Sequence, residues 1–263
     1  MTVKIIRAAA LLGILLALSA CVFLWDDPWG EPGGSTVQVF NKTIPLTGKS
    51  ALSVLHLDGD IEIRGWDRSE AEIVVEADRW IGRRGAFGTR SGRPRVETET
   101  GPDGGLILRT VWEGDERSVT PVNYYINVPR SIELRDIRTG RGGVLIADLY
   151  GRAAVQIQSG DLKVENFSGS LKAQVWRGRI EAELLDLRAE DESDLTARAG
   201  DLTLYLEAGA AVRIEAEASA GISSELDLHQ APLGRKVAAT LGAGGPLVRL
   251  KALDGRIALK TAR

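Results

Sequence analysis

Residues 142–187 read GGVLIADLY GRAAVQIQS GDLKVENFS GSLKAQVWR GRIEAELLD L, a text that repeats with a step of nine. Gly142, Gly151, Gly160, Gly169 and Gly178 open the units, and Leu187 takes the next opening place. Two places after these stand Val144, Ala153, Leu162, Leu171, Ile180 and Ala189; four places after the first five stand Ile146, Val155, Val164, Ala173 and Ala182. All are apolar, so the side-chain period inside a unit is two. That period marks short strands with one buried face. Glycine between them supplies turns at positive φ, which other residues reach at a cost of about 1–2 kcal/mol. A fixed step across such units marks a stacked repeat.

Alternate units differ. Leu149, Phe167 and Leu185 stand seven places after Gly142, Gly160 and Gly178, whereas Gln158 holds that place in an intervening unit. Eighteen residues therefore make one coil, and nine is its half. Strands of successive coils lie about 4.8 Å apart, and parallel crossovers are right-handed in nearly all cases. The expected fold is all-β: a right-handed parallel β-helix, or β-solenoid, of about 18–22 residues per coil. Stacking at that step places Asp161, Arg179 and Asp201 in line, Lys163 beside Glu181 and Lys172 beside Glu190. Facing opposite charges contribute about 0.2–1 kcal/mol per pair. Glu165 beside Glu183 is a like pair that strains the same register.

Beyond the regular stretch the phrase recurs as Gly59-Asp60-Ile61-Glu62-Ile63, Gly200-Asp201-Leu202-Thr203-Leu204 and Gly255-Arg256-Ile257-Ala258-Leu259. After Leu187 the spacing slips by four residues among Arg188–Asp194, as an insertion into one turn would make it. Strands are expected around Val37–Phe40 and over Ala51–Trp66, Ala71–Ala77 and Tyr124–Pro129. Arg95–Thr100 and Leu106–Trp112 read as a hairpin lying beside the stack. Between these, residues 79–95 hold six arginines, Trp80, Phe87 and four glycines, with no acid from Ile81 to Arg95. This reads as a basic loop. Arg83, Arg84, Arg90, Arg93 and Arg95 are candidate ligands for an anionic glycan or lipid, because the guanidinium fork suits carboxylate and phosphate. The competing reading is a loop kept soluble by its charge.

The start of the chain bears on location. Lys4 and Arg7 precede an apolar run from Ala8 to Leu18, the layout of a secretory signal. Leu18-Ser19-Ala20-Cys21 resembles a bacterial lipobox, in which the cysteine is lipidated and becomes the mature N-terminus. Residues 1–20 are thus expected to be a lipoprotein signal peptide, and 21–35 a lipidated Cys21 with a proline- and glycine-rich tether. Residues 36–263 are then the folded domain. Cleavage nearby that leaves a free thiol, and an uncleaved anchor, are the alternatives. Val22 and Phe23 lack the aspartate that resembles an inner-membrane retention signal, which favours the outer membrane if the cell has two. Removing two of 33 basic residues with the signal leaves 31 against 36 acidic ones, a net charge of −5. That balance argues against nucleic acid as a partner. Cys21 is the single cysteine, so packing must hold the domain together.

Catalytic or metal chemistry would have to draw on the same residues. A glycosidase needs two carboxylates about 5–10 Å apart with separated pKa values, and Asp161 with Asp201 could supply them. Arg179 between them would instead depress both. Calcium-binding repeats need several oxygens converging at each turn, and only Asp161 is acidic among the five glycine turns. The acidic run Glu190–Asp194 reads as a solvated loop. Only His56 and His229 exist, far apart, with His56 expected to face outward. No cofactor is expected.

The phrases Leu57-Asp58-Gly59-Asp60-Ile61-Glu62-Ile63-Arg64-Gly65-Trp66-Asp67, Ser159-Gly160-Asp161-Leu162 and Asp254-Gly255-Arg256-Ile257 resemble the bacterial putative-adhesin family of β-solenoid envelope proteins, a domain of unknown function. The resemblance spans about Thr36 to Arg263, and the family has no agreed catalytic residues to carry over. It implies a single-chain parallel β-helix of a kind often exported, and together with the lipobox at Cys21 the expectation is a lipid-anchored, non-enzymatic envelope protein with an adhesin-like binding or scaffolding surface. Its partners would be the membrane through Cys21 and an anionic glycan or lipid. The alternatives are a glycan-active β-helix enzyme and a self-assembling scaffold, which an uncapped terminal coil would favour.

Overall fold

Val144, Leu162, Ile180 and Leu202 stand directly opposite one another in adjacent parallel strands, offset by 18, 18 and 22 residues. A computed structural model describes residues 36–46, 51–78, 93–102, 104–113, 121–228 and 234–262. Its strands are β1 (Thr36–Pro45), β2 (Ala51–Leu55), β3 (Ile61–Trp66), β4 (Glu70–Asp78), β5 (Arg93–Thr100), β6 (Leu106–Glu113), β7 (Val122–Pro129), β8 (Glu133–Arg141) and β9 (Val144–Ser159). They continue with β10 (Leu162–Arg177), β11 (Ile180–Leu185), β12 (Glu192–Ala199), β13 (Leu202–Leu206), β14 (Val212–Ala218), β15 (Ile222–Ser224), β16 (Lys236–Leu241), β17 (Leu247–Ala252) and β18 (Ile257–Thr261). All join one large, mostly parallel sheet that does not close, and no helix occurs among the described residues.

Two ladders run through this sheet. The first follows β1–β4–β7–β3–β9–β10–β11–β13–β18–β15. The second follows β5–β6–β2–β8–β9–β10–β12–β17–β14–β16. The long strands β9 and β10 serve both, their first halves in one ladder and their second halves in the other. Period two turns alternate residues inward, and the inward columns are apolar. Tyr124, Ile61, Val144, Leu162, Ile180, Leu202 and Ile257 form one such column, all buried. Leu108, Val54, Ile137, Val155, Ala173, Leu195 and Leu250 form another from the second ladder. Both belong to one continuous core, in which a fully buried leucine contributes about 1.5–3 kcal/mol.

Each rung is a strand of the second ladder followed by one of the first, and the rungs do not stack in chain order. From one end they are β6–β7, β2–β3, β8–β9, β9–β10, β10–β11, β12–β13, β17–β18 and β14–β15. The rung at 51–66 thus lies between two later ones, and the rung at 247–261 lies between two earlier ones. The β5–β6 hairpin forms as expected, yet β6 pairs in parallel with β2 and belongs to the stack. Its apolar Leu106 and Leu108 need the shared core.

Several expected registers shift for local reasons. β9 and β10 break at Asp148 and Asn166, which take positive φ of 60° and 47°, a conformation that short polar side chains tolerate. Asn166 Nδ2 donates to Asp148 Oδ1 of the neighbouring rung at 2.7 Å. β11 runs straight past that point, so Leu184 rather than Leu185 pairs with Phe167 and is buried. The same irregularity separates Glu165 from Glu183. Glu165 takes the Lys163 ammonium at 2.7 Å, and Glu183 accepts the Asn166 backbone N–H at 2.9 Å. Lys172 stands opposite Asp194, not Glu190, because the inserted residues form a turn before β12. There Asp191 accepts the Arg188 N–H at 2.8 Å.

Antiparallel strands finish both ends. β1 carries an irregularity between Gln38 and Phe40, and Lys42 and Pro45 lie on the same strand. β15 is three residues long at the other end, where β16 covers β14. Bulges, lysine, proline and short strands are the means by which sheet edges resist pairing with other chains.

Candidate functional site

The turn between the two strands of a rung brings the repeated glycine and aspartate into columns. At Gly59, Gly142, Gly160, Gly178 and Gly200 the backbone sits so near the next rung that no side chain would fit. A Cβ on Gly160 would lie 2.0 Å from the Gly142 carbonyl oxygen. Each following aspartate turns toward the neighbouring rung. Asp60 Oδ1 accepts the Gly143 N–H at 2.6 Å, Asp161 Oδ1 the Arg179 N–H at 2.7 Å, and Asp201 Oδ1 the Arg256 N–H at 2.8 Å. Asp161 Oδ2 also takes the Arg179 guanidinium at 2.7 and 3.2 Å. These bonds, with nearby Glu181 and Asp201, raise the Arg179 pKa above its ordinary value. Asp161 and Asp201, the candidate glycosidase pair, are therefore hydrogen-bonded across rungs.

A polar group sits inside the core near one end. His56, expected to face outward, is 8% exposed. It continues the inward phase of Leu52 and Val54, so the alternation that buries them buries the imidazole too. Its Nδ1 lies 3.1 Å from Thr110 Oγ1, which lies 2.6 Å from the Tyr124 hydroxyl. Trp112 stacks on one side with ring centroids 6.4 Å apart, and Tyr124 meets the ring edgewise at 5.1 Å. Burial lowers the His56 pKa to about 4, against a smaller opposing effect of the Asp58 and Val122 backbone. Burial likewise raises the Tyr124 phenol to about 12, partly offset by Thr110. His56 Nε2 and Trp112 Nε1 are buried without hydrogen-bond partners. The group is enclosed on the core side of the sheet, and it holds a neutral imidazole at physiological pH. The phase of β2 was the signal that would have placed it there.

Of the residues singled out for binding, Cys21, Arg83, Arg84 and Arg90 lie outside the described residues, as does His229. Arg93 opens β5, and its side chain is likewise outside them. Arg95 lies on β5, where its Nη2 donates to Glu97 Oε1 at 2.6 Å. Two open depressions occur among the described residues. One of about 330 Å³ is lined by Ser219, Ala220, Gly221, Ile222, Gly234 and Arg235. The other, of about 240 Å³, lies between β1 and the β5–β6 hairpin, with Lys42 and Glu99 on its walls.

No family model matches the chain, and no curated protein matches it. Among solved structures it is similar to a putative cell adhesion protein from Clostridium sporogenes ATCC 15579, at 13% identity over 88% of this chain and 100% of that one, with a TM-score of 0.48. It is also similar to a putative adhesin from Bacteroides fragilis NCTC 9343, at 12% identity over 88% and 99%, with a TM-score of 0.45. A third is a putative lipid binding protein from Parabacteroides distasonis ATCC 8503, at 11% identity over 88% and 98%, with a TM-score of 0.31. With each of these scores below one half, the fold of this chain rests on its own strand pairing.

Proposed function

We propose that this chain is an exported, lipid-anchored protein of the bacterial envelope whose body presents a non-enzymatic, adhesin-like binding or scaffolding surface. Residues 1–20 direct export, Cys21 carries the lipid, 21–35 act as a tether, and 36–263 form a right-handed β-solenoid. The offsets of 18, 18 and 22 residues between paired strands and the common core of the two ladders support the solenoid. Right-handedness follows from the general rule for parallel crossovers. In a two-membrane cell the outer membrane is the favoured site.

The observation that carries the non-enzymatic reading is the use of the turn carboxylates. Asp60, Asp161 and Asp201 each accept a backbone N–H from the neighbouring rung, so the residues that might have been a catalytic set serve the stacking. The blunted edges at β1 and β15 count against the self-assembling alternative.

The test is expression of the full chain in a bacterial host with a radiolabelled fatty acid, followed by detergent phase partition. The wild type should carry label and enter the detergent phase, and Cys21→Ser should do neither. An unlabelled wild type would refute the anchor. Release of reducing ends from envelope or plant polysaccharide by the wild type, abolished in Asp161→Asn, would refute the non-enzymatic reading.

A further inference from the structure

Several charges on the outer face are matched within the protein. Arg141 pairs with Asp58 and Arg179 with Asp161, at 2.6 and 2.7 Å. Lys163 pairs with Glu165 and Lys236 with Glu217, at 2.7 and 2.9 Å. Arg249 is held by Glu192 and by Glu215. One strip in the middle of the second ladder groups polar side chains that are not matched in this way. Gln156 of β9 stands opposite Gln174 of β10. Two residues further along, Gln158 and Trp176 lie between the paired positions Ile157↔Val175 and Ser159↔Arg177. On the next rung Arg198 lies between Ala197 and Ala199, which pair with Val175 and Arg177.

Val175 and Ala197 point into the core, so Gln174, Trp176 and Arg198 point out of it. Gln156, Gln158, Arg177 and Arg198 are exposed, while Gln174 and Trp176 are half-buried. None of these six side chains has a hydrogen-bond, ion-pair or ring partner among the described residues. On its outer face the strip therefore combines three unengaged amides, the unengaged Arg198 guanidinium and one accessible indole, while Arg177 keeps the inward phase of Val175 and is exposed at the strand end. It spans three rungs about 4.8 Å apart.

We infer that this strip binds an acidic glycan laid across the rungs, which deepens the binding-surface reading above and rests on it. The chemistry selects that partner over others. An amide offers two donors and an acceptor, the complement of a sugar hydroxyl. An indole presents a flat apolar face with one polar tip, suited to the C–H face of a pyranose ring. An arginine fork binds carboxylate in a bidentate manner, and Arg198 stands beside the indole on the adjoining rung. A rigid sheet holds these five without ordering a loop, so little conformational entropy is lost on binding.

The test is calorimetric titration of the full chain in detergent micelles with polygalacturonate oligomers, a neutral malto-oligosaccharide of equal length, and inorganic phosphate. Polygalacturonate should bind, the neutral oligosaccharide more weakly by about tenfold or more, and phosphate should not compete. Arg198→Ser, an exposed change that leaves the core intact, should weaken binding by about tenfold, and Trp176→Ala should do at least as much. Lys236→Ser, at the far end of the ladder, should leave it unchanged. If polygalacturonate binds but Arg198→Ser and Trp176→Ala bind equally well, the strip is wrong while the binding-surface reading stands. Equal binding of the neutral oligosaccharide, or displacement by phosphate alone, overturns the acidic-glycan assignment. Absence of any binding overturns the strip, and the anchor is then judged separately by the Cys21→Ser partition.

Discussion

Gly142 and Gly151 have the same backbone conformation, φ 122° in both, and opposite surroundings. A Cβ on Gly151 meets nothing within 4 Å, whereas one on Gly142 would lie 2.0 Å from the Gly59 carbonyl oxygen and 2.4 Å from its carbon. Gly151→Ala should therefore cost only the backbone strain of alanine at positive φ, about 1–2 kcal/mol. Gly142→Ala carries the same strain and must also move the rung at 51–66 away by about 1 Å to restore a contact near the 3.0 Å minimum. The bonds in its way are Gly59 N–H to Arg141 O at 2.8 Å, Arg141 N–H to Leu57 O at 2.9 Å, Ile61 N–H to Gly143 O at 3.0 Å and the Asp60 cap on Gly143. Losing two to four of them at about 1 kcal/mol each adds about 2–4 kcal/mol. Urea unfolding of both variants, followed by circular dichroism and compared at common slope, should separate them by about 3 kcal/mol. Equal destabilisation within about 0.5 kcal/mol would refute the claim that rung contact, rather than turn conformation, requires glycine at 142.

Leu162→Asp should abolish cooperative melting, since Leu162 is 1% exposed and an unpaired buried charge costs more than the about 1.5–3 kcal/mol lost with the leucine; an unchanged melt would contradict its inward position. The lowered pKa of His56 means that between its ordinary value of 6.5 and about 4 the unfolded chain binds a proton that the folded chain does not. Stability should fall as pH drops through that window, by about 1.4 kcal/mol per unit at most and on the order of 3 kcal/mol in all. A His56→Gln variant should show a flatter profile from pH 6.5 to 4, and an unaltered slope would remove His56 as the cause. A chain ending at residue 246 lacks β17 and β18, which lie between other rungs, and should lose the fold rather than an end of it. Circular dichroism showing a cooperative melt at the wild-type temperature would overturn that.

Much of the body was legible because a period of two and a step of nine are both imposed by geometry. Alternation fixes which side chains enter the core, and Val144, Leu162, Ile180 and Leu202 obey it. The glycine column was legible for the same reason, as was Lys163 opposite Glu181. What escaped was local. Asp148 and Asn166 at positive φ could have been suspected from their residue types, and they shift Leu184 into the place expected of Leu185. His56 is polar, yet it keeps the inward phase of Leu52 and Val54 and is buried with them. A partner for its Nδ1 comes from Thr110, 54 residues away, which no local pattern could announce. The outer strip was hidden differently: Gln156, Gln174 and Arg198 gain meaning only when strands 18 and 22 residues apart stand side by side.

The order of the rungs was illegible for a reason inherent in repetition. Gly59-Asp60-Ile61, Gly160-Asp161-Leu162, Gly200-Asp201-Leu202 and Gly255-Arg256-Ile257 offer neighbours the same backbone turn and the same inward apolar residue, so pattern alone cannot say which meets which. Chain order is the natural guess, and for 134–206 it holds. At both ends it fails: 51–66 enters between 106–129 and 134–147, and 247–261 between 193–206 and 212–224. Distinctions finer than the repeat accompany those placements. Asn123 Oδ1 accepts the Asp60 N–H at 3.0 Å, and Asp201 caps Arg256. At the β14–β15 rung Ala220 takes the glycine column's place, its N–H donating to the Gly255 carbonyl at 3.0 Å. Intercalation also ties the first and last rungs in chain order, 51–66 and 247–261, to rungs on both sides, so neither can peel away alone. A simple repeat stack frays from its termini, because each repeat touches only its neighbours in sequence. Here the terminal rungs are internal, and long-range closure must precede completion of the stack, which places folding among the slower β topologies. The same interleaving gives the central outer strip rigid support from both directions.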